Sequence, residues 1–185
     1  MGLVQLSTVL ALTYRTIWRE SVPDHAPIAP VRPVPSGGAL YPLEIYIIAL
    51  ATEGLPGGCY HYHPLLHTLE VLATRPILQD LVQCVVAVPP NACAVLCIAG
   101  VLPRVYFKYG ELGYRLILLD AGHLAQNVML VGQALGLGSL GCCGFYDDRM
   151  HDLLGIDGVD EFCIYLIWLG HPREGCADPP VDSYQ

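Results

Sequence analysis

From Tyr114 to Leu135 the chain reads as one long helix that is apolar on nearly every face. Leu116, Leu119, Ala121, Leu124, Val128, Val131 and Leu135 fall mostly at steps of three and four, with apolar neighbours filling the faces between them. Such a helix belongs at the centre of a fold or in an interface, not on a wet surface. It does not read as a membrane span, because Asp120, His123, Gln126, Asn127 and Gln133 interrupt it well short of ~20 predominantly apolar residues. Composition makes the same demand. The 185 residues are 54% hydrophobic and only 14% charged, with mean hydropathy +0.47, whereas an average soluble chain is about 25% charged. Too little polar surface is available to coat a monomer, so an intertwined homodimer is expected, its interface resembling a core cut in half.

Length allows one domain with a substantial core, expected over residues 1–172 and followed by a Pro/Asp-rich tail, 173–185. The net charge of −8 argues against nucleic acid, which requires a basic face. The N-terminus shows no basic region followed by an apolar core and a small-residue cleavage site, which points to a cytoplasmic, reducing setting. The eight cysteines then read as small hydrophobes more than as a disulfide framework. Cys59, His61, His63 and His67 have a zinc-like spacing. However, His61 and His63 alternate with Tyr60 and Tyr62, as one face of a strand does, so no metal is assigned.

Ser7 can cap an amphipathic helix reaching Trp18, and the proline-rich stretch from His25 to Pro35 is an extended connector. Strands are expected over Glu44–Ala51, Ala94–Ala99 and Phe162–Gly170. A hairpin, Tyr60–Tyr62 with Leu69–Leu72, turns at Pro64-Leu65-Leu66-His67. Shorter helices are expected over Ile77–Val85 and over Asp148–Leu154, the latter ended by Gly155, with Cys142–Phe145 a loop or strand edge. Elements mixed in this way give an α+β fold with a mostly antiparallel sheet.

One loop carries unusual chemistry: Arg32-Pro33-Val34-Pro35-Ser36-Gly37-Gly38-Ala39-Leu40-Tyr41-Pro42-Leu43-Glu44. Adjacent glycines let a backbone turn through φ > 0 and approach a ligand closely, while the prolines stiffen it. A tight connector between a helix and a strand is the plainer alternative, and composition alone does not decide between them.

Together with four further stretches in the same order, the loop resembles the SagB-type dehydrogenases, an FMN-dependent branch of the nitroreductase superfamily. The stretches are Gly58-Cys59-Tyr60-His61-Tyr62-His63-Pro64, Lys108-Tyr109-Gly110-Glu111, Tyr114-Arg115 with Asp120 to Asn127, and Leu135-Gly136-Leu137-Gly138 through Gly144-Phe145. The likeness covers roughly residues 5–172. It implies a sheet flanked by helices, dimerised through the long helix, with FMN at the subunit interface. Lys108 and Tyr109 match the catalytic pair of enzymes that oxidise thiazoline and oxazoline rings to aromatic azoles. Such a step needs a base and a hydride acceptor, and burial in an apolar pocket would bring a lysine toward the base's role. Arg32 with Ser36, Gly37, Gly38 and Ala39 would address the pyrimidine side of the flavin from the opposite subunit. Gly141, Cys143 and Gly144 fall in the flavin-edge loop, with the Gly144 N–H as the candidate N5 contact. Cys142 and Cys143 as redox-active thiols are the alternative there.

The resemblance breaks at two places. Ala39 and Tyr41 stand where the wider superfamily has Asn and Gln. The arginine-rich segment that grips the FMN phosphate is not found before Leu6, which leaves Arg173 as the expected phosphate partner, with Arg15, Arg19 and Arg104 as further candidates. Three functions stay open: an azoline oxidase acting on a peptide or carrier-bound substrate, another nitroreductase-type flavin dehydrogenase, and a non-catalytic scaffolding chain of a biosynthetic complex.

Overall fold

The computed structural model describes residues 1–18 and 30–172. Arg19, Arg173, the C-terminal tail and part of the connector lie outside them. Helix α1 (Leu3–Thr13) opens the chain, and the short strands β1 (Ile17–Trp18) and β2 (Pro30–Val31) pair antiparallel. A 3-10 turn over Gly37–Ala39 leads into β3 (Leu43–Ala49), and β4 (Gly58–His63) and β5 (Thr68–Ala73) make the expected hairpin. Then follow α2 (Leu78–Cys84), β6 (Ala92–Val101), α3 (Pro103–Tyr109), α4 (Leu112–Ala134), β7 (Gly138–Cys142), α5 (Asp147–Leu154) and β8 (Glu161–Gly170). Six strands form one antiparallel sheet in the order β5-β4-β3-β6-β8-β7. The α+β class and the helix-flanked antiparallel sheet are as the sequence implied.

The central strands read as unbroken apolar runs because both their faces are buried. Ile45, Ile47, Leu96 and Ile98 join the core with α1 and α4, while Tyr46, Ile48, Val95 and Cys97 join the core with α2 and α5. Helix α4 buries a ridge running through Ile117, Ala121, Leu124 and Val128. Leu119, expected on that ridge, is instead 53% exposed together with Leu118 and Leu130. The helix therefore has a second apolar face that stays exposed among the described residues.

Two local expectations are corrected. The first helix begins at Leu3, four residues before the proposed cap, and Ser7 does not cap it. Its hydroxyl pairs with His67 Nε2 at 2.9 Å across the fold, while Gly2 N–H donates to Gln5 Oε1 at 3.0 Å at the true start. The helix stops at Thr13 because Tyr14 and Arg15 both donate to Leu10 O, which leaves Trp18 in a strand. Helix α3 was not anticipated. Pro103 at its first turn supplies the preset φ that starts a helix, and Gly110 (φ 55, ψ −138) ends it in a conformation that suits glycine.

A charged cluster ties the sheet to α3. Glu44 on β3 receives His61 Nε2 at 2.8 Å and pairs with the Arg104 guanidinium of α3, while His61 Nδ1 reaches Glu70 at 3.1 Å. Burial works against the Glu44 carboxylate, but His61 and Arg104 overcome it and hold its pKa below the usual value of 4.5. The hydrogen bond to Glu44, against desolvation and helped by Glu70, holds the His61 pKa above the usual 6.5. The Glu44 share of stability is thus complete above pH 4.5 and lost as pH falls through its depressed pKa. The His61 share is complete below pH 6.5 and lost as pH rises through its elevated pKa. Chemical denaturation of His61→Gln across pH should show its largest deficit against the parent between those limits, shrinking toward alkaline pH; a deficit flat with pH would contradict this pairing. In the core, Leu124→Ala should cost roughly 3 kcal/mol, whereas Val4→Ala on the exposed side of α1 should change stability by less than about 0.5 kcal/mol.

Candidate functional site

The Gly-Gly loop is held by its own side chains. Tyr41 N–H donates to Ser36 Oγ at 2.9 Å, and Arg32 N–H donates to Tyr41 Oη at 3.1 Å. Gly38 (φ 63) lies in the left-handed region, and so do Ala39 (φ 55) and Tyr41 (φ 46), neither of which is glycine. Each such non-glycine residue costs on the order of 1 kcal/mol, and strain of this kind concentrates at binding sites. Behind the loop stands Asp120 of α4, a carboxylate only 5% exposed that accepts Gly37 N–H at 3.3 Å. Burial pushes its pKa up, and the Ser36 hydroxyl and Gly37 amide offset that only in part.

Lys108 and Tyr109 come to this loop from the last turn of α3. A Cβ placed on Gly38 would stand 2.5 Å from Tyr109 Oη and 3.0 Å from Lys108 Nζ. The Lys108 Nζ itself lies 5.2 Å from the centre of the Tyr109 ring. Two segments seventy residues apart in the chain thus meet at a position where only glycine leaves room. Lys108 is exposed in this chain, not enclosed by an apolar pocket, and Tyr109 is half-buried.

Other predicted residues are placed differently. Arg32 turns inward, its guanidinium carbon 4.2 Å from the Tyr14 ring centre and 5.1 Å from that of Tyr41. The Gly37 amide is committed to Asp120, and Gly144 N–H donates to Cys142 Sγ at 3.1 Å. Gly141 leaves room for the Tyr165 hydroxyl, which a Cβ would overlap. Cys143 is exposed; partial desolvation beside Cys142 pushes its thiol pKa up, away from the reactive thiolate. It lines a cavity of about 730 Å³ with Tyr114, Leu118, Phe145 and Phe162, which contains none of the Gly-Gly loop or Lys108-Tyr109 residues. Both loops lie toward the same end of the sheet. Strands β6 and β8 separate β3 from β7, so three inter-strand spacings, ~14 Å, lie between them. A single chain does not bring these two halves of the predicted site together.

Asp120 was not predicted as a site residue. Its signal was present in the sequence: an ionisable residue in the middle of an apolar helix, six positions after Tyr114 and four after the Leu116 that packs on Gly37. Among the described residues no group of three or more His, Cys, Asp or Glu could hold a metal ion, and no helix is long and apolar enough to cross a membrane.

Comparison with known proteins agrees with this architecture. The MJ1384 protein of Methanocaldococcus jannaschii is 37% identical over 146 residues, covering 76% of this chain and 71% of its own. The microcin B17-processing protein McbC of Escherichia coli is 35% identical over 136 residues, covering 68% of this chain and 49% of its own, so the chain spans about half of that relative. In a solved structure of the E. coli microcin synthetase McbBCD complex with truncated pro-MccB17 bound, one chain superposes with a TM-score of 0.78 at 26% identity. The match covers 94% of this chain and 65% of that one. The nitroreductase family model, whose members are flavin-dependent oxidoreductases that typically bind FMN, matches residues 5–171. The chain belongs to the nitroreductase family.

Proposed function

We propose that this chain is an FMN-dependent dehydrogenase that removes two hydrogens from azoline rings of a peptide or carrier-bound substrate, yielding aromatic azoles. The observation that carries the reading is the meeting of Gly38 with Lys108 Nζ and Tyr109 Oη. When bound, FMN supplies the hydride acceptor. The residues present fit such a group: Gly38 is exposed and bare of side chain, and Ser36, Tyr41 and Asp120 hold the loop in shape before anything binds. Lys108 takes the ring proton, and Tyr109 orients the ring or relays that proton. The likeness to McbC, and to a synthetase complex with a pro-peptide bound, supports a peptide substrate and partner chains.

A homodimer completes the site. The face around α3 and α4 that the described residues leave exposed carries Phe107 (75% exposed) with Tyr106, Leu112, Leu118, Leu119 and Leu130, a surface that water disfavours. A second copy packed there would exclude solvent from Lys108 and set the Gly141–Gly144 loop of one subunit opposite the Ser36–Ala39 loop of the other. Arg173, outside the described residues, is the proposed phosphate partner.

A second reading is favoured by one observation. The Gly37 and Gly144 amides expected to face the flavin are both engaged within the chain, as a flavin-free scaffolding subunit would have them.

Incubating the FMN-loaded protein with a thiazoline-containing peptide should lower the peptide mass by two hydrogens. Lys108→Ala should slow this at least ~100-fold while FMN stays bound. Gly38→Ala should cost only about 1 kcal/mol of stability, because the Cβ meets flexible side-chain ends, yet it should displace both and depress turnover. Full activity in Gly38→Ala would remove the basis of the reading.

A further inference from the structure

Beside the strained loop lies a cavity of about 550 Å³, lined in part by Arg32, Ala39, Tyr41, Glu44, His63 and Arg104. Its polar groups are unbalanced. Among the described lining residues Glu44 is the one carboxylate, and both of its oxygens are taken, by His61 and Arg104. Arg32 Nη1 is buried and finds no hydrogen-bond partner among the described residues. His63 Nδ1 accepts Leu66 N–H at 3.2 Å, which leaves the ring proton on Nε2 and makes that atom a donor. Arg104 uses Nη2 on Glu44 and keeps its other N–H groups available. Arg32, Arg104 and His63 therefore line a space in which the one carboxylate among the described lining residues is saturated, in a chain whose net charge is −8.

An unpaired buried guanidinium N–H costs free energy that folding must carry. Stacking on Tyr14 and Tyr41 fixes the Arg32 fork in place and recovers part of that cost, but it supplies no acceptor. The missing partner is an acceptor that carries negative charge, since planar forks of this kind match oxyanions.

We propose that this cavity is an oxyanion-binding subsite that takes a carboxylate or phosphate group, seated between Arg32, Arg104 and His63. The proposal does not depend on flavin chemistry. The subsite is lined by Ala39, Leu40 and Tyr41 of the loop whose Gly38 meets Lys108 and Tyr109, so an anion held there braces that loop.

Thermal unfolding of the full chain, with no flavin added, tests it. Sodium phosphate and sodium acetate are titrated against sodium chloride at matched ionic strength, in the parent, Arg32→Met and His63→Gln. General stabilisation by excluded salts is common to all three proteins and cancels in the comparison. The expected result is a saturable rise in the parent Tm of about 5 °C with phosphate or acetate at large excess, absent with chloride and lost in both variants. A larger response to acetate assigns the subsite to an acidic peptide group, and a larger response to phosphate assigns it to a phosphorylated ligand. Equal responses in all three proteins, or none in the parent beyond that to chloride, would overturn the proposal. If Arg32→Met does not fold, His63→Gln decides alone.

Discussion

A missing methyl group organises the site. At Gly38 the tips of Lys108 and Tyr109 occupy the region where any other residue would place its Cβ, and beside it Gly37 packs on Leu116 of the long helix. That close approach fixes where α3 ends relative to β3. Gly110 then turns the chain abruptly into α4, whose buried Asp120 returns to hold the Gly37 amide. Loop, Lys108-Tyr109 pair and helix form one closed circuit of contacts, and the strained φ values of Ala39 and Tyr41 are sustained by it.

The same segments are tied a second time, from the sheet. Glu44, five residues after Ala39, grips Arg104, four residues before Lys108. Four residues along a helix is about one turn, so Arg104 and Lys108 share a side of α3. The Glu44 carboxylate thus links the strand that follows the loop to the helix that carries the pair, and His61 locks its other oxygen. This gives the last residue of the P-S-G-G-A-L-Y-P-L-E motif a physical task that its sequence position did not disclose.

Much of this was legible in the residues, for reasons of period and chemistry. Central strands buried on both faces read as continuous Val, Ile and Leu runs, and the Gly155 stop of α5 read directly because its φ of 74 favours glycine. Contacts between distant segments were not legible. Ser7 has the chemistry of a cap, but it sits in the second turn of α1, where its hydroxyl bonds His67 sixty residues away. Leu119 fits an apolar spine by spacing, yet a period does not say which apolar stripe meets the sheet and which stays exposed. The charge of Arg32 was readable, but its inward stacking on Tyr14 was not.

The central claim is that the Gly-Gly loop and the Lys108-Tyr109 end of α3 form half of a flavin crevice that a second copy completes. It is tested most directly by titrating the purified chain with FMN, following flavin fluorescence, while sedimentation velocity reports mass in the same samples. The account predicts saturable quenching at one FMN per chain, carried by a species of twice the chain mass. A chain that stays monomeric and leaves FMN fluorescence unchanged at saturating concentration would contradict it.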